Sequence, residues 1–169
     1  MQEAQLRQLF DMYYLPIMRY LIHLTGEVTA AQDLSQKVYL KLYHYGPLNL
    51  ENPRAWLFRV ATNLGYNYLR QRENRIRNEA AAYQAKSEAT DVEEPAVRRE
   101  EKVNVHQILE SMSERDRTCL IMRFSGFSYQ EISEVIGVNK GSVGAILLRA
   151  MRRFRREHEG KGESRDEVL

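Results

Sequence analysis

Apolar residues recur three and four positions apart along most of the chain, and no stretch sustains a two-residue alternation, so the pattern predicts an all-α protein. The first stripe, Leu6, Leu9, Phe10, Tyr13, Ile17, Tyr20, Leu21 and Leu24, predicts a buried side for a helix over residues 2–24, kinked at Pro16 and ended by Gly26. Thr29-x-x-Gln32 reads as a capping box for a helix to about Tyr43, with Leu34, Val38 and Leu42 on one face. Gly46 and Pro47 then mark a loop from His44 to Asn52. Asn52-Pro53 combines an N-cap with a proline at the first helical position, and Trp56, Leu57, Val60, Ala61, Leu64 and Tyr68 give the following helix, to about Arg75, its buried side.

Between about Asn78 and Val103 the apolar pattern fails. The stretch is polar and acidic and holds Pro95, which predicts a flexible linker, with a continuous solvated helix as the alternative allowed by Ala80-Ala81-Ala82. Four further helical segments follow, over residues 104–112, 114–125, 129–136 and 140–157. Ser113-x-x-Asp116 and Ser128-x-x-Glu131 supply caps at two of the joints. The expected organisation is two small helical domains, residues 1–77 and 104–158, joined by a linker over 78–103 and followed by a polar tail over 159–169.

Residues 129–148 meet the requirements of a helix-turn-helix. Ser133 is small enough for a close helix crossing, Gly137 allows the left-handed turn, and Ile132, Ile136, Val138, Val143 and Ile146 lock the second helix down. Asn139, Lys140 and Ser142, at the start of that second helix, would face base edges in a major groove. Arg149, Arg152, Arg153, Arg155 and Arg156 could reach phosphates, although each could equally belong to a solvated face. Gly141 and Gly144 imply close backbone approach, to DNA or to the preceding helix.

Charge supports a nucleic-acid partner only once it is resolved along the chain. The 169 residues carry a formal net charge of +2, yet residues 123–156 hold seven basic and two acidic side chains. One cysteine, Cys119, cannot form an internal disulfide, and the four histidines lack ligand spacing, so no metal or other cofactor is expected. No apolar run is long enough to span a bilayer and no signal peptide precedes the first helix, which points to a cytoplasmic protein. With no phosphate loop and no nucleophile motif, an enzyme is not expected. Tyr13, Tyr14, Tyr39, Tyr43 and Tyr45 fall at spacings that suit core and interface packing.

Taken together, the two halves resemble the extracytoplasmic-function group of bacterial RNA polymerase sigma factors, in the sigma-70 family. The segments Ala31–Tyr39 and Pro53–Asn63 are similar to the polymerase-binding helix and promoter-melting segment of region 2. Ser113–Arg117, Gly126–Ile132 and Arg149-Ala150 are similar to region 4. The resemblance implies polymerase contact through Asp33, Gln36, Lys37 and Leu40. It implies minus-ten DNA contact through Asn49, Asn52, Trp56, Arg59, Asn63, Asn67 and Arg70, with Trp56 open to a second reading as a core residue. Minus-thirty-five contact falls to Asn139, Lys140, Gly141, Ser142, Ala145, Arg149, Arg152 and Arg153. The implied partners are bacterial core RNA polymerase, promoter DNA and an anti-sigma factor that holds the chain inactive. Lys37 stands where the family usually has an acidic residue, Asn67 where it often has aspartate, and Gly144-Ala145-Ile146 where a Lys-Ser-Arg type run is commoner, which implies a different promoter sequence. The alternative is a helix-turn-helix regulator that acts as a dimer and is not a polymerase subunit.

Overall fold

The computed structural model describes residues 3–46, 51–84 and 100–163. Those residues form seven helices and no strand: α1 (Glu3–Thr25), α2 (Val28–Tyr45), α3 (Pro53–Gln84), α4 (Glu100–Ser111), α5 (Glu114–Phe124), α6 (Tyr129–Ile136) and α7 (Lys140–Glu163). The first three pack into an N-terminal module around Ile17, Leu21, Leu24, Val38, Leu42 and Leu57, each essentially inaccessible to solvent. The last four pack around Ile108, Met122, Ile132 and Val143. Burying side chains of this size contributes about 1.5–3 kcal/mol each, the main term favouring each module.

The joints follow local chemistry. Ser128 accepts the Glu131 amide while the Glu131 carboxylate accepts the Ser128 amide, which completes the expected capping box on α6. Gly137 ends α6 at φ 70°, ψ 41°, the left-handed geometry the turn requires. At α5 only half of the expected box exists. Ser113 accepts the Asp116 amide, but the Asp116 carboxylate turns away to Arg149.

Several expectations need correction. Thr29 is not an N-cap: the Gly26 turn, at φ 77°, brings the chain into α2 at once, Glu27 is the N-cap, and Thr29 lies inside the first turn. Phe10 is 41% exposed and stacks on Tyr14 instead of entering the core. α3 continues past residue 77 to Gln84, because Ala80-Ala81-Ala82 favours helix, and α4 begins at Glu100, inside the expected linker. α7 runs to Glu163 into the expected tail. Of the expected linker, residues 85–99 lie outside the described residues, as does Asn49.

The two modules are also in contact, and α3 carries most of it. Phe58 meets Phe127 edge to face, with ring centroids 4.6 Å apart. Tyr66 donates to the Glu114 carbonyl at 2.7 Å and lies 2.9 Å from the Thr118 hydroxyl. The buried Arg117 donates to the carbonyl of Leu24, at the end of α1.

Gly141 has no neighbour within 4 Å of where a β-carbon would sit, and Gly144 has only the Tyr129 ring at 3.6 Å, so no helix crowds either glycine. Gly141→Ala should therefore stabilise the chain by about 0.5 kcal/mol, whereas Gly137→Ala should cost about 1 kcal/mol or more. Denaturant unfolding of the two variants checks the pair. A destabilised Gly141→Ala would contradict the open geometry.

Candidate nucleic-acid interface

The exposed start of α7 presents Asn139, Lys140, Gly141, Ser142 and Ala145 to solvent, while Val143, Ile146 and Leu147 hold its opposite side in the core. The positive end of the helix dipole lies at the same place and favours an approaching phosphate. The structure thus gathers these expected minus-thirty-five residues on one open edge.

The arginines farther along α7 divide into free and engaged. Arg152 is exposed, with no hydrogen bond or ion pair among the described residues. Arg149 donates to Asp116 at 2.7 Å. Arg153 pairs with Glu157 at 2.9 Å and donates to the Ser111 carbonyl at 2.8 Å, tying α7 to the end of α4. The Ser111 hydroxyl and Arg153 hold the Glu157 carboxyl below its usual range.

On α2, Asp33, Gln36, Lys37 and Leu40 are all exposed and form one ridge, with Leu40 at 57%. Tyr43, on the same face, and Tyr45, at the helix end, are 67% and 78% exposed. Of the tyrosines expected to serve core and interface packing, Tyr39 is buried, Tyr13 and Tyr14 pack against the core half-buried, and Tyr43 and Tyr45 stand open to solvent. Tyr43, His44 and Tyr45 form an aromatic ladder with centroid separations of 5.0 Å and 6.0 Å. The helical spacing that suggested packing does not distinguish a covered face from an open one near a helix end.

On α3, the expected minus-ten residues fall into two groups. Asn63 and Asn67 are exposed, with Asn67 accepting from Arg70 at 2.8 Å, and Arg70 lies 3.4 Å from Glu114. Trp56 is half-buried against the core, in keeping with its second reading. At the start of the helix two of the expected minus-ten residues, Asn52 and Arg59, bond the other module. Asn52, which caps α3 by accepting the Ala55 amide, also donates to the Glu134 carboxylate at 2.8 Å. Arg59 donates to the Glu134 carbonyl.

Arg54, which the sequence did not single out, pairs with Glu131 at 2.5 Å and lies 3.9 Å over the Phe127 ring. Burial works against the Glu131 charge, but the Ser128 amide and hydroxyl and the Arg54 guanidinium outweigh it and hold this carboxyl below the usual range. Glu131 and Glu134 of α6 thus meet Arg54, Asn52 and Arg59 at the start of α3.

Beside α7, Val105, Leu109, Leu120, Phe124, Met151 and Phe154 line an open apolar groove of about 630 Å³ between α4, α5 and α7. Phe124 is 80% exposed at its rim. Cys119 is fully buried and its thiol is pushed up to about 11, chiefly by burial, so it is not a reactive group at neutral pH. Among the described residues, no group of His, Cys, Asp and Glu could hold a metal ion, and no helix is long and apolar enough to cross a membrane.

Comparison with known proteins agrees with this arrangement. Residues 9–75 match the family model for sigma-70 region 2, and residues 102–154 match that for sigma-70 region 4. The RNA polymerase sigma-H factor of Pseudomonas aeruginosa is 28% identical over 82% of this chain and 78% of its own length. ECF RNA polymerase sigma factor SigL of Mycobacterium tuberculosis is 26% identical over 91% of this chain and 89% of its own.

Among solved structures, the sigma factor RpoE in complex with the anti-sigma factor NepR, from Bartonella quintana, aligns with a TM-score of 0.64 at 20% identity. That alignment covers 90% of this chain and 96% of the other. CnrH in complex with the cytosolic domain of CnrY aligns at 0.65 and 18% identity, over 94% and 90% of the two chains. Both share the fold.

The division among the arginines makes a prediction for duplex DNA binding. Arg152→Ala should flatten the dependence of log affinity on log salt by about 1, the signature of one lost phosphate contact. Arg153→Ala should change it less, because its charge is already neutralised by Glu157. Titrations across a salt series check both variants, and equal slopes would contradict the assignment.

Proposed function

Because this chain belongs to the sigma-70 family of RNA polymerase sigma factors, in the extracytoplasmic-function group, we propose a division of promoter initiation among the surfaces described above. The chain directs core polymerase to promoters. The α2 ridge of Asp33, Gln36, Lys37 and Leu40 docks on the polymerase. Asn52, Arg59, Asn63, Asn67 and Arg70 on α3, with Trp56 and Asn49, hold the minus-ten element as it opens. The start of α7, from Asn139 to Ala145, reads the minus-thirty-five element, and Arg152 grips a flanking phosphate, with Arg149 and Arg153 placed beside it by their pairs with Asp116 and Glu157. Residues 1–84 form the polymerase-binding and melting module, and residues 100–163 the upstream-reading module. The chain works by binding in the cytoplasm and not by catalysis.

The observation that carries this reading is the occupied start of α3. Arg59 and Asn52 are both turned toward Glu134, so we read the packed chain as a holding state from which full promoter engagement requires the modules to part. If packing is favoured by about 2 kcal/mol, apparent DNA affinity of the free chain falls about thirtyfold, because only the separated fraction is competent. This accounts for a protein that needs polymerase to bind its promoter. The regulatory partner is an anti-sigma protein seated on the groove beside Phe124, where apolar side chains line an open cleft.

Run-off transcription with core polymerase tests the reading. A specific transcript should appear only when the chain is added, and Leu40→Asp should reduce it at least tenfold by weakening core binding without altering duplex affinity. No specific transcript from any candidate promoter with active core, alongside tight symmetric-dimer binding to DNA, would instead establish the dimeric regulator.

A further inference from the structure

His106, on α4, sits where the two modules meet, and four elements surround it. Its ring lies so close over the Gly26 turn that a β-carbon at residue 26 would overlap Nε2. Glu110, one turn farther along α4, is 3.4 Å from Nε2. Arg72 reaches in from α3 and bonds both Glu27, beside the turn, at 2.6 Å and Glu110 at 2.9 Å. Arg117 approaches from α5, and the Thr25 carbonyl from the end of α1. Nε2 itself is buried with no hydrogen-bond partner among the described residues.

A neutral imidazole tolerates this setting, because one of its nitrogens can stand as an unshared lone pair. A charged ring makes both nitrogens donors and sets a third cation beside Arg72 and Arg117. We propose that His106 is a proton-operated latch between the modules: neutral, it lets α4 close on the Gly26 turn, and protonated, it drives that contact apart and frees the DNA face of α3. The consequence for promoter binding rests on the sigma-factor reading, but the latch itself does not.

The charged groups around the ring act in both directions. Burial is the largest influence and lowers the proton affinity of His106 below the ordinary 6.5; Glu110 and the Thr25 carbonyl raise it, Arg117 and Arg72 lower it, and the net direction is down. Glu27 stays charged beside the turn, its carboxyl held down first by the Tyr68 hydroxyl and then by Arg72. A group that binds its proton less well in the closed form stabilises that form fully above 6.5, and the contribution is lost as pH falls from there through the closed-state value.

The full chain, without polymerase or DNA, tests this by energy transfer between dyes placed at Lys41 and Arg156. The buried Cys119 does not compete for labelling. Transfer should fall as pH is lowered from about 7.5 to about 5.5, with the opening constant rising by up to about tenfold per pH unit, the limit for one proton. His106→Gln should remove most of that response, and His106→Lys should open the chain at every pH, with helix content unchanged by circular dichroism. A wild-type response that persists in His106→Gln, or no response at all, overturns the latch. Should the Gln variant open at every pH through lost packing, the ring titration of wild-type His106 by NMR decides: a midpoint below 6.5 supports the latch, and one at or above 6.5 overturns it. Failure here leaves run-off transcription unaffected, so the two readings fail separately.

Discussion

In the folded chain α6 supplies acceptors to both Arg59 and Asn52 at the start of α3. The Arg59 guanidinium is turned onto the Glu134 carbonyl, and Asn52 onto the Glu134 carboxylate. Arg54 joins them by clamping Glu131 above the Phe127 ring. One face of α3 thus packs against the second module, and in the proposed function the same face holds DNA. The relative stability of the two states decides which use prevails.

The contacts between the modules differ in strength. Arg54 and Glu131 keep 35% and 18% of their side-chain surface exposed, so their pairing contributes on the order of 1 kcal/mol or less. The deeper contacts are stronger individually. Removing Arg117 from the Leu24 carbonyl, or Tyr66 from Thr118, would leave a buried polar group without its partner, at about 1–3 kcal/mol. The module interface combines the edge-to-face pair of Phe58 and Phe127 with several polar contacts, and the buried apolar residues of the two modules join in one cluster.

The helices, their caps and the turn at Gly137 were legible in the sequence because each rests on local rules: periodicity, a Ser with Glu three residues on, a glycine at a left-handed position. The start of α7 was equally legible, since its polar residues precede a strict apolar stripe. What local rules could not show was pairing across the chain. Glu131 and Glu134 are the only two acids in the basic stretch 123–156, and their departure from the local charge was the one available signal that they meet cations elsewhere. Arg54 carried no signal of its own, because its partner lies 77 residues away. Thr29 misled for the opposite reason. Its capping pattern is genuine, but the tight turn at Gly26 starts the helix one residue before it.

The measurement that bears most directly on the exclusive use of α3 is the distance between α3 and α6 in the working complex. Spin labels at Gln71 and Gln130, both exposed, report it in the free chain and again with core polymerase and promoter DNA bound. The separation should be short and narrowly distributed in the free chain and longer by tens of ångströms in the promoter complex. An unchanged distance in a complex that still makes transcript would show that α3 engages DNA without leaving α6, and would contradict the account.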